Sequence, residues 1–215
     1  GIITVSNSFG ESGKTQLLDQ AADFGLEVVQ AESFGAKDTD TTAQLTKIKS
    51  AAPDAIVCWG TNPGPAVVAK NVKQLKIDIP LYQSHGVASP KFIELAGDAA
   101  EGITLPTGKI LVTGLLAADD VQKKILEDYQ ADYRAKYSSN VSGFGGYAFD
   151  AVNLLAQALK GSDGDKNKIR QALESTQKHV GATGEFNFSS EDHNGLSPEA
   201  FVMVEIKGGT WSLIK

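Results

Sequence analysis

Apolar residues along this chain follow one rhythm up to Pro106 and another after it. In the first part, short apolar runs alternate with segments whose apolar positions recur every three or four residues. Ile2–Ser6 is predicted as a strand and Ser6–Gly10 as a loop. A helix follows from Glu11 to about Phe24, with Leu17, Leu18, Ala21 and Ala22 on one face and Gly25 as its stop. Leu26–Phe34 reads as a second strand. Leu45 and Ile48 mark the next helix, which Asp40 can cap and Pro53 ends. Ala55–Trp59 is a continuous apolar run, the pattern of a strand covered on both faces. Gly60-Thr61-Asn62-Pro63 turns into a helix carrying Val67, Val68, Val72 and Leu75. Ile79–Gln83 is a fourth strand, Ser89-Pro90 opens a short helix, and Gly102–Leu105 is a fifth strand. This alternation implies a parallel, doubly wound sheet with helices on both faces. In such sheets, loops at the carboxyl ends of strands bind ligands.

After Pro106 three helices follow without strands between them: 119–137, 144–160 and 165–175. Val121, Ile125, Tyr129 and Tyr133 stripe the first, and Tyr147, Ala151, Leu154, Leu155 and Ala158 the second. Ile169, Ala172 and Leu173 mark the third. Gly184–Phe188 reads as a short strand. Phe201–Ile206 and Trp211–Ile214 read as a hairpin turning through Lys207-Gly208-Gly209-Thr210.

The 215 residues carry a net charge of −6, and without a basic cluster this argues against nucleic-acid binding. No apolar run approaches the roughly 18 residues of a membrane helix. Cys58 is the only cysteine and lies in a predicted buried strand, so no internal disulfide can form. Ser8-Phe9-Gly10-Glu11-Ser12-Gly13-Lys14-Thr15 has the look of a phosphate-binding loop, but Ser8 stands where that motif requires its first glycine. Three histidines far apart in sequence (85, 179 and 193) suggest no metal site. Asp192-His193-Asn194-Gly195 reads as turn chemistry, since catalysis there would need a nucleophile and an orienting group. Trp59 and Trp211 read as packing residues.

DTDTTAQLTKIKSAAPDAIV, SPKFIELAGDAAEGITLP, DDVQKKILEDYQADYRAKY, FGGYAFDAVNLLAQAL and GATGEFNFSSEDHNGLSP, in that order, resemble the branched-chain amino-acid binding family. These are type I periplasmic solute-binding proteins of ABC transporters. The resemblance implies two α/β lobes joined by crossing segments. It assigns residues 1–107 and 199–215 to lobe two, and 108–198 to the crossings and a mainly helical part of lobe one. It further implies that a signal peptide and an N-terminal half-lobe lie outside these 215 residues. The apolar faces of the helices of 119–175 are then expected to pair with that N-terminal segment or with a second copy.

Several site residues come with the resemblance. Phe9 matches an aromatic residue that lobe two presents to the ligand, and Gly10 lets the backbone come close. Thr61 and Asn62 match a ligand-contacting loop where many relatives carry aromatic rings. His85, with Gly86 beside it, matches a position that is typically acidic in amino-acid binders and pairs with the ligand's ammonium. A histidine donates to an oxygen or attracts an anion and does not neutralise an ammonium. The expected ligand is therefore a small carboxylate, aromatic or aliphatic, with a branched-chain or other amino acid as the alternative. His193, close to the last crossing, is a further candidate to face the cleft. The expected protein is an extracytoplasmic binder rather than an enzyme, with a membrane permease as partner and no cofactor. A sensor module of the same fold and an α/β enzyme using Asp192 and His193 are the rivals.

Overall fold

Strand β1 (Ile2–Val5) is four residues long and buried throughout, including Thr4. In the computed structural model, which describes residues 1–214, it is central to the first of two compact units, Gly1–Pro106 with Met203–Lys215. Four further parallel strands belong to this unit: β2 (Ala31–Phe34), β3 (Ile56–Trp59), β4 (Leu81–Gln83) and β5 (Thr104–Gly108). Between them run α1 (Ser8–Gln20), α2 (Thr42–Ser50), α3 (Gly64–Gln74) and α4 (Pro90–Ala96). Helix α2 buries Leu45 and Ile48, and α3 buries Val68, Ala69 and Val72. The buried Asn71 carboxamide oxygen accepts from both the backbone N–H and the hydroxyl of Thr41, at 2.8 and 3.0 Å, tying the start of α2 to α3.

The second unit is Thr107–Val202. It holds α5 (Lys123–Tyr137), α6 (Gly143–Leu159), α7 (Lys166–Glu174) and a two-stranded ribbon, β6 (His179–Val180) with β7 (Glu185–Phe186). Asp165 caps α7 by accepting from the N–H groups of Asn167 and Lys168. Asp150 of α6 is buried and accepts from the N–H groups of Ala182 and Thr183 and from the Thr183 hydroxyl. Gly181 is bare because a Cβ there would lie 2.6 Å from the Asp150 carboxyl carbon. Phe144 (70 %), Val152 (68 %) and Val121 (66 %) are strongly exposed apolar residues of this unit.

The chain then completes the first unit's sheet with the antiparallel hairpin β8 (Phe201–Lys207) and β9 (Thr210–Leu213). Gly208 and Gly209, at φ of 57° and 73°, make the turn, as their sequence predicts. The strand order is β2-β1-β3-β4-β5-β8-β9, so the winding direction reverses between β1 and β3. That reversal opens a crevice at the carboxyl ends of those strands, the usual ligand position in open α/β sheets.

Several boundaries differ from the sequence expectation. Helix α1 begins at Ser8 rather than Glu11, because the Asn7 side chain accepts from the Gly10 N–H and caps it early. Phe9 and Gly10 therefore sit in a helical turn instead of a loop, and Gly13 is inside the helix, so no phosphate-binding loop exists here. Strand β2 covers only 31–34 because β1 offers it four partners. Helix α5 starts at Lys123 rather than Asp119, since Asp120 accepts from the Gln122 N–H and pairs with Lys109 at 2.9 Å. Strand β3 is not covered on both faces: Ile56 and Cys58 are buried, while Val57 and Trp59 are partly exposed. The Ser89 hydroxyl does not cap α4; it accepts from the Asn62 amide instead.

Candidate functional site

The carboxyl ends of β1, β3 and β4 bring most of the proposed contact residues together. Phe9 stands in the first turn of α1, directly after β1, and its ring centroid is 5.6 Å from that of His85, just past β4. Trp59, the last residue of β3, completes a triangle, 5.8 Å from Phe9 and 5.7 Å from His85. The imidazole is nearly perpendicular to both other rings, at 80° and 83°. Such tilted contacts suit the electron-poor edge and electron-rich face of aromatic rings.

Two glycines permit this approach. A Cβ on Gly10 would lie 1.7 Å from the Val5 carbonyl oxygen, and one on Gly86 would lie 2.5 Å from the Gly60 oxygen and 2.9 Å from the Phe9 ring. The buried Ser84 hydroxyl clamps the loops after β3 and β4. It donates to the Gly60 carbonyl at 3.2 Å and accepts from the Gly60 and Gly86 N–H groups. Thr61 is exposed. Asn62 donates to Ser89 at 3.4 Å, while its buried carboxamide oxygen has no hydrogen-bond partner among the described residues. Burial holds the His85 pKa below the ordinary histidine value, so the ring is neutral near pH 7 and acts through a hydrogen bond rather than a full charge.

His193 belongs to the second unit. Its Nε2 is 3.2 Å from Glu174, which also faces Arg170 at 3.5 Å. These residues edge an apolar concavity of about 610 Å³ walled by Leu154, Leu173 and Phe186. Among the described residues there is no cluster of three or more His, Cys, Asp or Glu side chains placed to hold a metal, and no helix is long and apolar enough to cross a membrane.

Sequence reasoning passed over Trp59 and Ser84. Trp59 was readable as packing because β3 is uniformly apolar, and only its two-residue alternation with Val57 hinted that this face is partly open. Ser84 carried no signal, since its role depends on the β3–β4 pairing. Aromatic rings, an imidazole, an amide and hydroxyls at strand ends form a surface suited to recognition.

The sequence model described as periplasmic binding protein matches residues 1–210. The chain belongs to the periplasmic binding protein family. It has the type I fold of that family, an α/β fold with a mostly parallel sheet. A Pseudomonas aeruginosa relative, the leucine-, isoleucine-, valine-, threonine-, and alanine-binding protein, is 27% identical over 168 residues, 77% of this chain and 42% of the relative. An extracellular ligand-binding receptor from Rhodopseudomonas palustris HaA2 superposes with a TM-score of 0.92 at 27% identity, covering 100% of this chain and 63% of that one. A branched-chain amino acid transporter substrate-binding protein from Streptococcus pneumoniae, solved with isoleucine, gives 0.76 at 25% identity, covering 98% and 57%. The chain thus spans less than two thirds of the length of these periplasmic binding proteins.

Proposed function

We propose that this chain is part of an extracytoplasmic solute-binding protein that delivers a small carboxylate, aromatic or aliphatic, to the membrane permease of an ABC importer. Binding rather than catalysis is its task. The first unit is lobe two, contributing Phe9, Gly10, Thr61, Asn62, His85 and Gly86 to one wall of the cleft. The second unit is the crossing region and part of lobe one, with His193 facing the ligand side. Hinge closure over the solute is the motion such binders use.

The observation that carries the carboxylate reading is His85. A half-buried, neutral imidazole set among rings donates a hydrogen bond to a carboxylate oxygen and offers no countercharge to an ammonium. The alternative, an amino acid, draws support from the P. aeruginosa and S. pneumoniae relatives named above. A thermal-shift screen decides between them, using the chain extended at its N-terminus to the length of its relatives. The panel sets leucine, isoleucine and valine against benzoate and succinate. At a hundredfold excess over Kd, binding adds about 2.7 kcal/mol, or about 4 °C in Tm for a chain as long as its relatives. A shift with carboxylates alone is expected. A shift with leucine or valine alone overturns the carboxylate reading.

The exposed apolar side chains of the second unit, Phe144 and Val152 foremost, support a covering partner for the helices of 119–175. That cover is either an N-terminal segment or a second copy. Sedimentation of the 215-residue chain showing a well-behaved monomer of 22.7 kDa would refute it.

A further inference from the structure

We propose that the α1 side of the first unit's sheet is the seat of one amphipathic helix, apolar on one face and flanked by lysine or arginine, in the stretch that directly precedes Gly1 in the full-length protein. The inference rests on the reading of this chain as part of a longer binder and deepens it. It does not depend on which ligand is carried.

The two faces of that sheet are covered unequally. The step from β1 to β2 runs opposite to the later steps, from β2 to β3, β3 to β4 and β4 to β5, along the strand order. With right-handed crossovers, α1 therefore lies on one face and α2, α3 and α4 on the other. Residues paired in register share a face, which sets Ile2, Val57, Tyr82 and Thr104 in one row on the α1 side. Cover is lost along this row: Ile2 is buried, Val57 is partly exposed and Tyr82 is 39% exposed. On the opposite face, Ile3, Ile56 and Cys58 are fully buried.

Helix α1 shows the same lack. It carries Leu17 and Leu18 but buries only Gly10 and Gly13, whereas α3 buries Val68, Ala69 and Val72. Phe24 (74%) and Leu26 (66%), just beyond α1, are strongly exposed. Between these residues and the sheet lies a concavity of about 630 Å³, walled by Ile2, Leu17, Phe24, Val28, Val57 and Trp59. Contiguous apolar surface of this kind marks a docking place.

Three observations favour a preceding helix over a second copy. Gly1 lines the concavity and already continues β1: its nitrogen donates to the Ala55 carbonyl at 2.7 Å, and its carbonyl accepts from the Val57 N–H at 2.9 Å. A helix joined to Gly1 by a short turn thus arrives at the mouth of the concavity, and the covalent link makes its docking an intramolecular event. Glu27 and Asp54 edge the concavity, with Asp19 and Asp23 close by in sequence, so a second copy would set acid against acid. Lysine or arginine beside a helix would instead meet opposite charge. Finally, the R. palustris HaA2 receptor is matched over 63% of its length, so relatives have ample chain for such a helix. Strands of four residues span about 13 Å, so about three helical turns suffice to cross them.

The test is thiol labelling, which needs no ligand. Cysteine is placed on the proposed seat in F24C and Y82C, and on the opposite side of the sheet, at an exposed position of α3, in K70C. The native Cys58 is buried and stays silent. Each variant is made in the 215-residue chain and in the N-terminally extended chain. All three should react quickly in the 215-residue chain. In the extended chain F24C and Y82C should slow by at least about 10-fold, because labelling then waits for the helix to lift, while K70C is unchanged. Replacing the last 15 or so residues before Gly1 with a Gly-Ser stretch of equal length should restore fast labelling, since such a stretch forms no helix. If the 215-residue chain or the Gly-Ser version does not fold, F24C against K70C within the extended chain still decides, as both sites are exposed without a cover. Equal fast rates there overturn the proposal. So does protection that survives the Gly-Ser replacement, or protection in the 215-residue chain that fades on dilution, which would mean a second copy. The carboxylate reading stands or falls separately, by the thermal-shift screen.

Discussion

Removing the Asp150 carboxylate should unfold the second unit more readily than any surface change, and the size of the effect follows from three hydrogen bonds. Its oxygens accept from the Ala182 N–H at 2.7 Å, the Thr183 N–H at 2.7 Å and the Thr183 hydroxyl at 2.5 Å. Asp150 is 1% exposed and Ala182 fully buried, so the donors have no route to bulk water. A hydrogen bond to a charged group contributes about 1.5–3 kcal/mol, and an orphaned buried donor costs about 1–3 kcal/mol. Partial relaxation and an admitted water reduce the sum, which puts Asp150→Ala at about 3–5 kcal/mol destabilised. Asp150→Asn keeps one acceptor but turns an NH₂ toward a donor, for a loss of about 2–3 kcal/mol. Thr183→Val removes the hydroxyl alone and should cost about 1.5 kcal/mol. The double variant D150A/T183V should be less destabilised than the sum, since both act on one shared bond. Urea unfolding followed by circular dichroism reads all four. An Asp150→Ala chain within about 1 kcal/mol of wild type would refute the claim that this carboxylate anchors the 181–184 loop to α6.

Three further outcomes are expected. Gly10→Ala should destabilise the first unit by about 2–3 kcal/mol despite alanine's better helix propensity, because the new methyl would meet the Val5 carbonyl at 1.7 Å; urea midpoints check this. Burial lowers the His85 pKa from 6.5, so as pH falls through that value the unfolded chain takes the proton first and stability declines. Above it the group contributes no pH dependence. His85→Gln should remove this part of the slope in unfolding curves taken between about pH 5 and 7.5, and an unchanged slope would refute it. Burial pushes the Cys58 thiol far up, so a thiol reagent should modify the native chain only at the rate of unfolding, accelerating with urea.

What the sequence by itself determined is local. The stop at Gly25 is legible because the backbone there is left-handed, at φ 69°, and glycine takes that conformation without strain. The Gly208-Gly209 hairpin is legible for the same reason. Asp40 accepts from the Thr42 N–H at 2.8 Å, as its place before α2 predicts. The alternation of strands and helices before Pro106 implied the parallel sheet, and five strands of the first unit are parallel. Tertiary structure decided what depends on a distant partner. Strand β2 is short because β1 is short, which no reading of Leu26–Phe34 could reveal. The ribbon of β6 with β7 exists only as a pair, and two-residue strands carry no periodicity. Phe9 entered a helix because Asn7 found the Gly10 N–H. The meeting of Phe9, Trp59 and His85 joins residues 26 to 76 positions apart through the register of three parallel strands. Periodicity records which face a residue takes, whereas strand order and register decide which residues share that face, and those are set by the whole sheet at once.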